Sequence, residues 1–105
     1  MYSDLLRFRN ELKNKYVAAY KLVGIVSTLL FSKEIFKANK DILPFLETMF
    51  VEPFSASTKK SRPAMVGKAS KLILSNKDTS ILKKKLVEFI SIKIEELKSS
   101  PTSTN

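Results

Sequence analysis

The side chains best able to do chemistry in this chain are its basic ones, and the densest run lies between residues 58 and 77. Lys59, Lys60, Arg62, Lys68, Lys71 and Lys77 fall there with no Asp or Glu among them. Ammonium and guanidinium groups attract and neutralise phosphates. Thr58 and Ser61 add hydroxyls that can donate to phosphate oxygens. Ser61 also stands two residues before Pro63, a pattern that marks a helix start. A helix start offers unpaired backbone N–H groups and a partial positive charge. Lys68 and Lys71, three apart, share a helix face and extend the positive track by one turn. The candidate phosphate-binding residues are therefore Lys59, Lys60, Ser61, Arg62, Lys68 and Lys71. Lys83, Lys84 and Lys85 join them if the last helix lies alongside.

Such a site grips the phosphate backbone with little sequence preference. Base readout favours Arg, Asn and Gln, and this segment holds a single Arg. A merely solvated surface has the same composition. The anion-binding expectation therefore requires the cluster to face water, with Glu47, Glu52 and Glu88 kept away from it.

Other chemistries lack their residues. The chain has no Cys and no His, hence no thiolate nucleophile, no disulfide framework and no imidazole for proton transfer or metal ligation. Residues 66–70, Val-Gly-Lys-Ala-Ser, fail as a Walker-A loop twice. Arg62 stands where a Gly is needed, and Ala69 stands where Ser or Thr must follow the Lys. Glu88, Glu95 and Glu96 lie among lysines and read as solvated helix surface. No nucleophile, base and orienting group come together. The chain reads as non-enzymatic, with no cofactor and no metal. The seven Phe and three Tyr mostly fall at core spacing. Tyr20, beside Lys21 and off the main apolar stripe, is the aromatic that stands apart.

The elements that must position the basic cluster are helical. Residues 3–31 carry an apolar stripe at Leu5, Phe8, Leu12, Tyr16, Ala19, Leu22 and Val26 that alternates threes and fours. Ser3 is a cap residue, and Asp4 suits the positive end of the dipole. The spacing predicts one long helix, or two in near-continuity with a break near Asn14 or Gly24. From Tyr16 the apolar surface widens, so residues 16–31 read as a buried central helix. Sixteen residues fall just short of a membrane span. A short helix or helix tail is expected over 32–39, capped by Ser32. Asp41 caps a third helix that runs to about Phe50, with Pro44 in its first turn. Residues 52–62 read as a loop that Phe54 pins to the core. Ser61 caps a helix with Met65, Val66, Ala69, Leu72 and Ile73 inward. Asp78 caps the last, over 79–98, with Leu82, Leu86, Phe89, Ile90, Ile94 and Leu97 inward. Residues 99–105 hold only Ser, Thr, Pro and Asn and are expected to be disordered.

The 105 residues thus read as one all-α domain over 1–98, a compact bundle of four to five helices, followed by that tail. Nineteen basic against ten acidic residues give a net charge of +9. Two thirds of it sits on residues 59–77. The start of the chain lacks the pattern of a signal peptide, so a cytoplasmic location is expected. Two functions follow, each with its own partner. One is a protein that holds nucleic acid or another polyanion. The other is a helical interaction module, of a regulator, adaptor or immunity type, that docks a protein through apolar surface around Phe50, Phe54 and Met65.

Overall fold

Each apolar stripe becomes a helix with one buried face. The computed structural model describes residues 1–99, which form α1 (Tyr2–Leu12), α2 (Ala19–Phe31), α3 (Asn39–Met49), α4 (Ala56–Lys59), α5 (Arg62–Ser75) and α6 (Ser80–Lys98). The tail expected to be disordered lies outside the described residues from Ser100 onward. No strand occurs among the described residues. None of the helices is long and apolar enough to cross a membrane.

Of the two readings of the first stripe, the structure has the second: two helices, parted by residues 13–18 around Asn14. A continuous helix over the whole stripe would run about 43 Å, well past the roughly 28 Å of α6. The break gives each half its own partner. α1 packs on α6, and α2 on α5. Arg9 reaches Ser91 at 3.5 Å, while Lys83 reaches the carbonyl of Asn14 at 2.6 Å, so α1 and α6 run antiparallel. α2 buries Leu22, Ile25, Val26, Leu29 and Leu30. Its other face carries Tyr20, Lys21, Gly24, Thr28 and Phe31 to solvent, so α2 is central on one side only.

The short helix expected over 32–39 is a turn. Ser32 still caps it, its Oγ accepting from the Ile35 N–H at 3.2 Å. α3 starts two residues ahead of Asp41, whose carboxylate reaches back to the Ala38 N–H at 3.0 Å. Pro44 therefore lies inside the helix, where it removes one backbone donor. Within the expected loop, residues 56–59 wind into the single turn α4, and Phe54 is buried as predicted. α6 begins one residue after its predicted start. The Asp78 carboxylate fixes that start, accepting from the Ser80 N–H at 3.0 Å and from the Ser80 hydroxyl at 2.6 Å.

One apolar cluster draws side chains from α1, α2, α3, α5, α6 and the 32–38 turn. Phe45 of α3 meets Phe89 of α6 edge-on at 4.7 Å between ring centres, and Phe36 from the turn lies 5.3 Å from Phe45. Lys85 donates to the Thr48 carbonyl at 2.9 Å. The contacts 45–89 and 48–85 make α3 and α6 antiparallel too.

Candidate polyanion-binding surface

The segment proposed to hold phosphates begins with two caps in succession. Ser55 caps α4, its Oγ accepting from the Thr58 N–H at 3.3 Å and sharing a hydrogen with the Thr58 hydroxyl at 2.8 Å. Ser61 caps α5, accepting from the Ala64 N–H at 3.3 Å. Pro63 has no N–H, and the Met65 N–H already donates to the Ser61 carbonyl at 3.0 Å. At most the Arg62 N–H is then left for a ligand. The start of α5 is closed by its own residues, and the cap that marks it in the sequence is what closes it.

Arg62 turns inward. It is 8% exposed, the one charged residue in the core among the described residues. Its Nε donates to Asn39 Oδ1 at 3.0 Å, and its Nη1 donates to the Leu30 carbonyl at 2.8 Å and to the Ser32 carbonyl at 3.5 Å. Its Nη2 donates to the Phe36 carbonyl. Leu30 and Ser32 lie at the C-terminal end of α2, where carbonyls carry partial negative charge, and the Ser32 carbonyl also accepts from the Phe36 N–H at 2.9 Å. The guanidinium is therefore held by the dipole end of a helix and by carbonyl oxygens, with no carboxylate. Asn39 is fixed from its other side, its Nδ2 donating to the Lys60 carbonyl at 3.1 Å. The expectation that Arg62 faces phosphates is corrected: its donors join α2, the 32–38 turn and α3 to the start of α5. Being the only Arg among lysines was the available signal, since a forked, planar donor suits several buried acceptors.

The lysines remain outside. Lys60, Lys71 and Lys77 are exposed, and Lys59 and Lys68 are half-buried. Among the described residues, none of these five has a carboxylate within 4.0 Å. Lys59 shares a cavity with Glu47 and Glu52 without pairing to either, so its field is the most offset of the five. Glu88 lies in the groove between α3 and α6 with Lys85 and Lys93, not against α5. The ion pairs that do form use Asp4, Glu11, Glu34, Glu95 and Glu96 on other elements. Of the lysine triplet in α6, Lys83 donates to the Asn14 and Lys15 carbonyls and Lys85 to the Thr48 carbonyl. Of the three, only Lys84 is exposed, while Lys83 and Lys85 are half-buried.

Two surface features escape a reading by periodicity. Tyr16, on the predicted core stripe, is 82% exposed, whereas Tyr20, off that stripe as read from the spacing, is 74% exposed. The apolar patch expected around Phe50, Phe54 and Met65 is largely interior, with Phe54 and Met65 buried and Phe50 half-buried. In its place Val51 is 100% exposed, and Leu74 and Ile81 also face solvent. Val51 and Ile81 flank a cavity of about 430 Å³ between the end of α3, the end of α5 and the start of α6. Among the described residues, no three carboxylates gather in a way that could hold a metal ion. No known protein family matches this chain, nor does any curated protein or solved structure.

Proposed function

We propose that this chain is a non-catalytic binding protein whose lysine surface on residues 59–77 holds nucleic-acid phosphates. One observation carries the reading: among the described residues the five lysines there have no carboxylate within 4.0 Å, with only Lys59 sharing a cavity with Glu47 and Glu52, in a chain of net charge +9. An unneutralised cluster keeps its field for an external anion, and each phosphate it neutralises releases counterions. Lys60, Lys68, Lys71 and Lys77 form the grip, with Lys59 at its acidic edge and the Ser61 hydroxyl beside it. With Arg62 turned inward, the surface has lysine point charges and no guanidinium fork for base edges, which favours weak sequence preference.

A salt series tests this. With about four phosphates neutralised, log K for duplex DNA against log salt slopes at roughly −3 to −4. The charge reversals Lys68→Glu and Lys71→Glu together flatten that slope by about 2. Absence of binding in low salt, or a slope unmoved by the reversals, rejects the reading.

A second reading has its own observation. Val51, Leu74 and Ile81 are exposed, and two of them flank the α3–α5–α6 cavity, which favours docking of a protein partner there. Val51→Asp with Ile81→Asp abolishes such docking and leaves oligonucleotide binding intact. Retention of a partner by that double variant rules this second reading out.

A further inference from the structure

The two tyrosines at the junction of α1 and α2 serve neither the core nor the lysine surface. Six of the seven phenylalanines are buried or half-buried, whereas Tyr16 and Tyr20 stand in water. The ring–ring contacts among the described residues join phenylalanines only, and the cations that sit over rings sit over Phe8 and Phe89. Both tyrosine rings therefore offer open faces. The loop that carries Tyr16 is pinned, because Lys83 donates to the carbonyls of Asn14 at 2.6 Å and Lys15 at 3.3 Å. Val17 and Ala19 pack against the core on the other side. A ring displayed from a fixed loop loses little freedom when a ligand stacks on it. On the same loop, just ahead of Tyr16 in sequence, Lys13 and Lys15 are exposed, and among the described residues neither has a carboxylate within 4.0 Å.

We infer that Tyr16 and Tyr20 form a base-stacking platform flanked by the phosphate-neutralising Lys13 and Lys15, so that the nucleic acid this chain prefers is single-stranded. The inference rests on the phosphate-binding reading above and names its substrate class. In a duplex the base faces are covered by neighbouring bases. Only an unpaired strand presents faces for aromatic side chains, and rings interleaved with cations suit such a strand whatever its sequence. An anionic membrane also attracts Lys and Tyr, but a helix lying in an interface needs a broad apolar face. The solvent face of α2 beyond Tyr20 carries Lys21, Gly24 and Thr28, with Phe31 the single large apolar side chain on it, which is too narrow for an interfacial face.

The test is fluorescence anisotropy at one low salt concentration, with a labelled oligothymidylate longer than the roughly 4–16 nucleotides a small domain covers, and a duplex of equal length. The proteins are the full chain, the double variant Tyr16→Ala/Tyr20→Ala, the double variant Tyr16→Phe/Tyr20→Phe, and Lys68→Glu/Lys71→Glu. Circular dichroism checks that each is folded. The single strand is expected to bind more tightly than the duplex. The alanine pair weakens single-strand binding by about tenfold or more and leaves the duplex unchanged. The phenylalanine pair restores binding, and the charge reversals weaken both ligands. If both ligands bind and the alanine pair holds the single strand as well as the parent does, the platform is refuted while the phosphate reading stands. If neither ligand binds, both fall. Tyrosine-dependent uptake onto phosphatidylserine vesicles, without a tyrosine effect on the single strand, also overturns the platform in favour of a lipid surface.

Discussion

Arg62 shows how a basic residue can be read correctly as a donor and wrongly as to its acceptor. Its four oxygen partners belong to the protein: the carbonyls of Leu30, Ser32 and Phe36 and the amide of Asn39. Removing it leaves buried acceptors without donors, and hydrogen bonds to a charged group are worth about 1.5–3 kcal/mol each. Arg62→Ala is expected to cost about 3 kcal/mol or more, lowering Tm by over roughly 10 °C for a domain of this size. Arg62→Lys loses much of the same, since one ammonium cannot span the fork. Thermal melts followed by circular dichroism measure this. Oligonucleotide affinity of the folded variants stays within about twofold of the parent. A tenfold affinity loss at unchanged Tm would place the guanidinium on the surface instead. Asp78 gives the pH counterpart. Hydrogen bonds from the Ser80 hydroxyl, and then from the Ser80 N–H, hold its carboxyl below the ordinary 3.8. A pKa depressed by folding stabilises the folded state above the unfolded value, and this is lost as pH falls through the folded one. The stability gap between the parent and Asp78→Ala should therefore be constant above about pH 5 and shrink below pH 3.8. A gap that persists unchanged at pH 2 contradicts the assignment.

At the scale of elements, caps and stripes fix where helices start and which face they bury. Ser61 caps α5 as its type and position predict, whereas Thr79 holds the cap position of α6 and Asp78, one residue further out, accepts from Ser80. α5 buries Arg62, Met65, Ala69 and Ile73 at helical spacing, and its exposed side includes Gly67. A methyl group built there meets nothing within 4 Å, and no glycine has a positive φ. Gly67→Ala should therefore stabilise the chain by about 0.5–1 kcal/mol, because alanine loses less backbone freedom in a helix. Urea denaturation checks it through a raised midpoint at constant slope. A lowered midpoint would mean that the α5 surface is covered there. The ambiguity at this scale is also physical. Residues 13–15 are polar but break no periodicity, so the spacing allowed one long helix as well as two with a break near Asn14. What parts the halves is the choice of partner, α6 for one half and α5 for the other.

Across the whole molecule, positive charge is sorted between two tasks. Arg62, Lys83 and Lys85 reach carbonyls at or just beyond the ends of α2, α1 and α3, where orphan acceptors and the negative end of each dipole collect. Lys59, Lys60, Lys68, Lys71 and Lys77 stay outside and repel one another. Screening that repulsion should raise Tm by a few degrees when salt is increased from about 0.02 to 0.3 M, since exposed charges interact less beyond a Debye length of about 8–10 Å. A falling Tm would show that the exposed ion pairs on α1, α2 and α6 outweigh the lysine repulsion.

The residues by themselves determined that this chain is helical, which side chains are apolar at period 3.6, that Ser61 caps α5, and that its surplus charge concentrates on residues 59–77. Those properties are local, set by neighbours within a turn or two. Which cations turn inward, which of the two readings of the first stripe holds, and that Tyr16 stays in water were decided by tertiary structure. A carbonyl left over at the end of one helix recruits a donor from a distant one, and a ring is buried only if another element covers it. Neither partner lies close enough in sequence to leave a mark on the spacing.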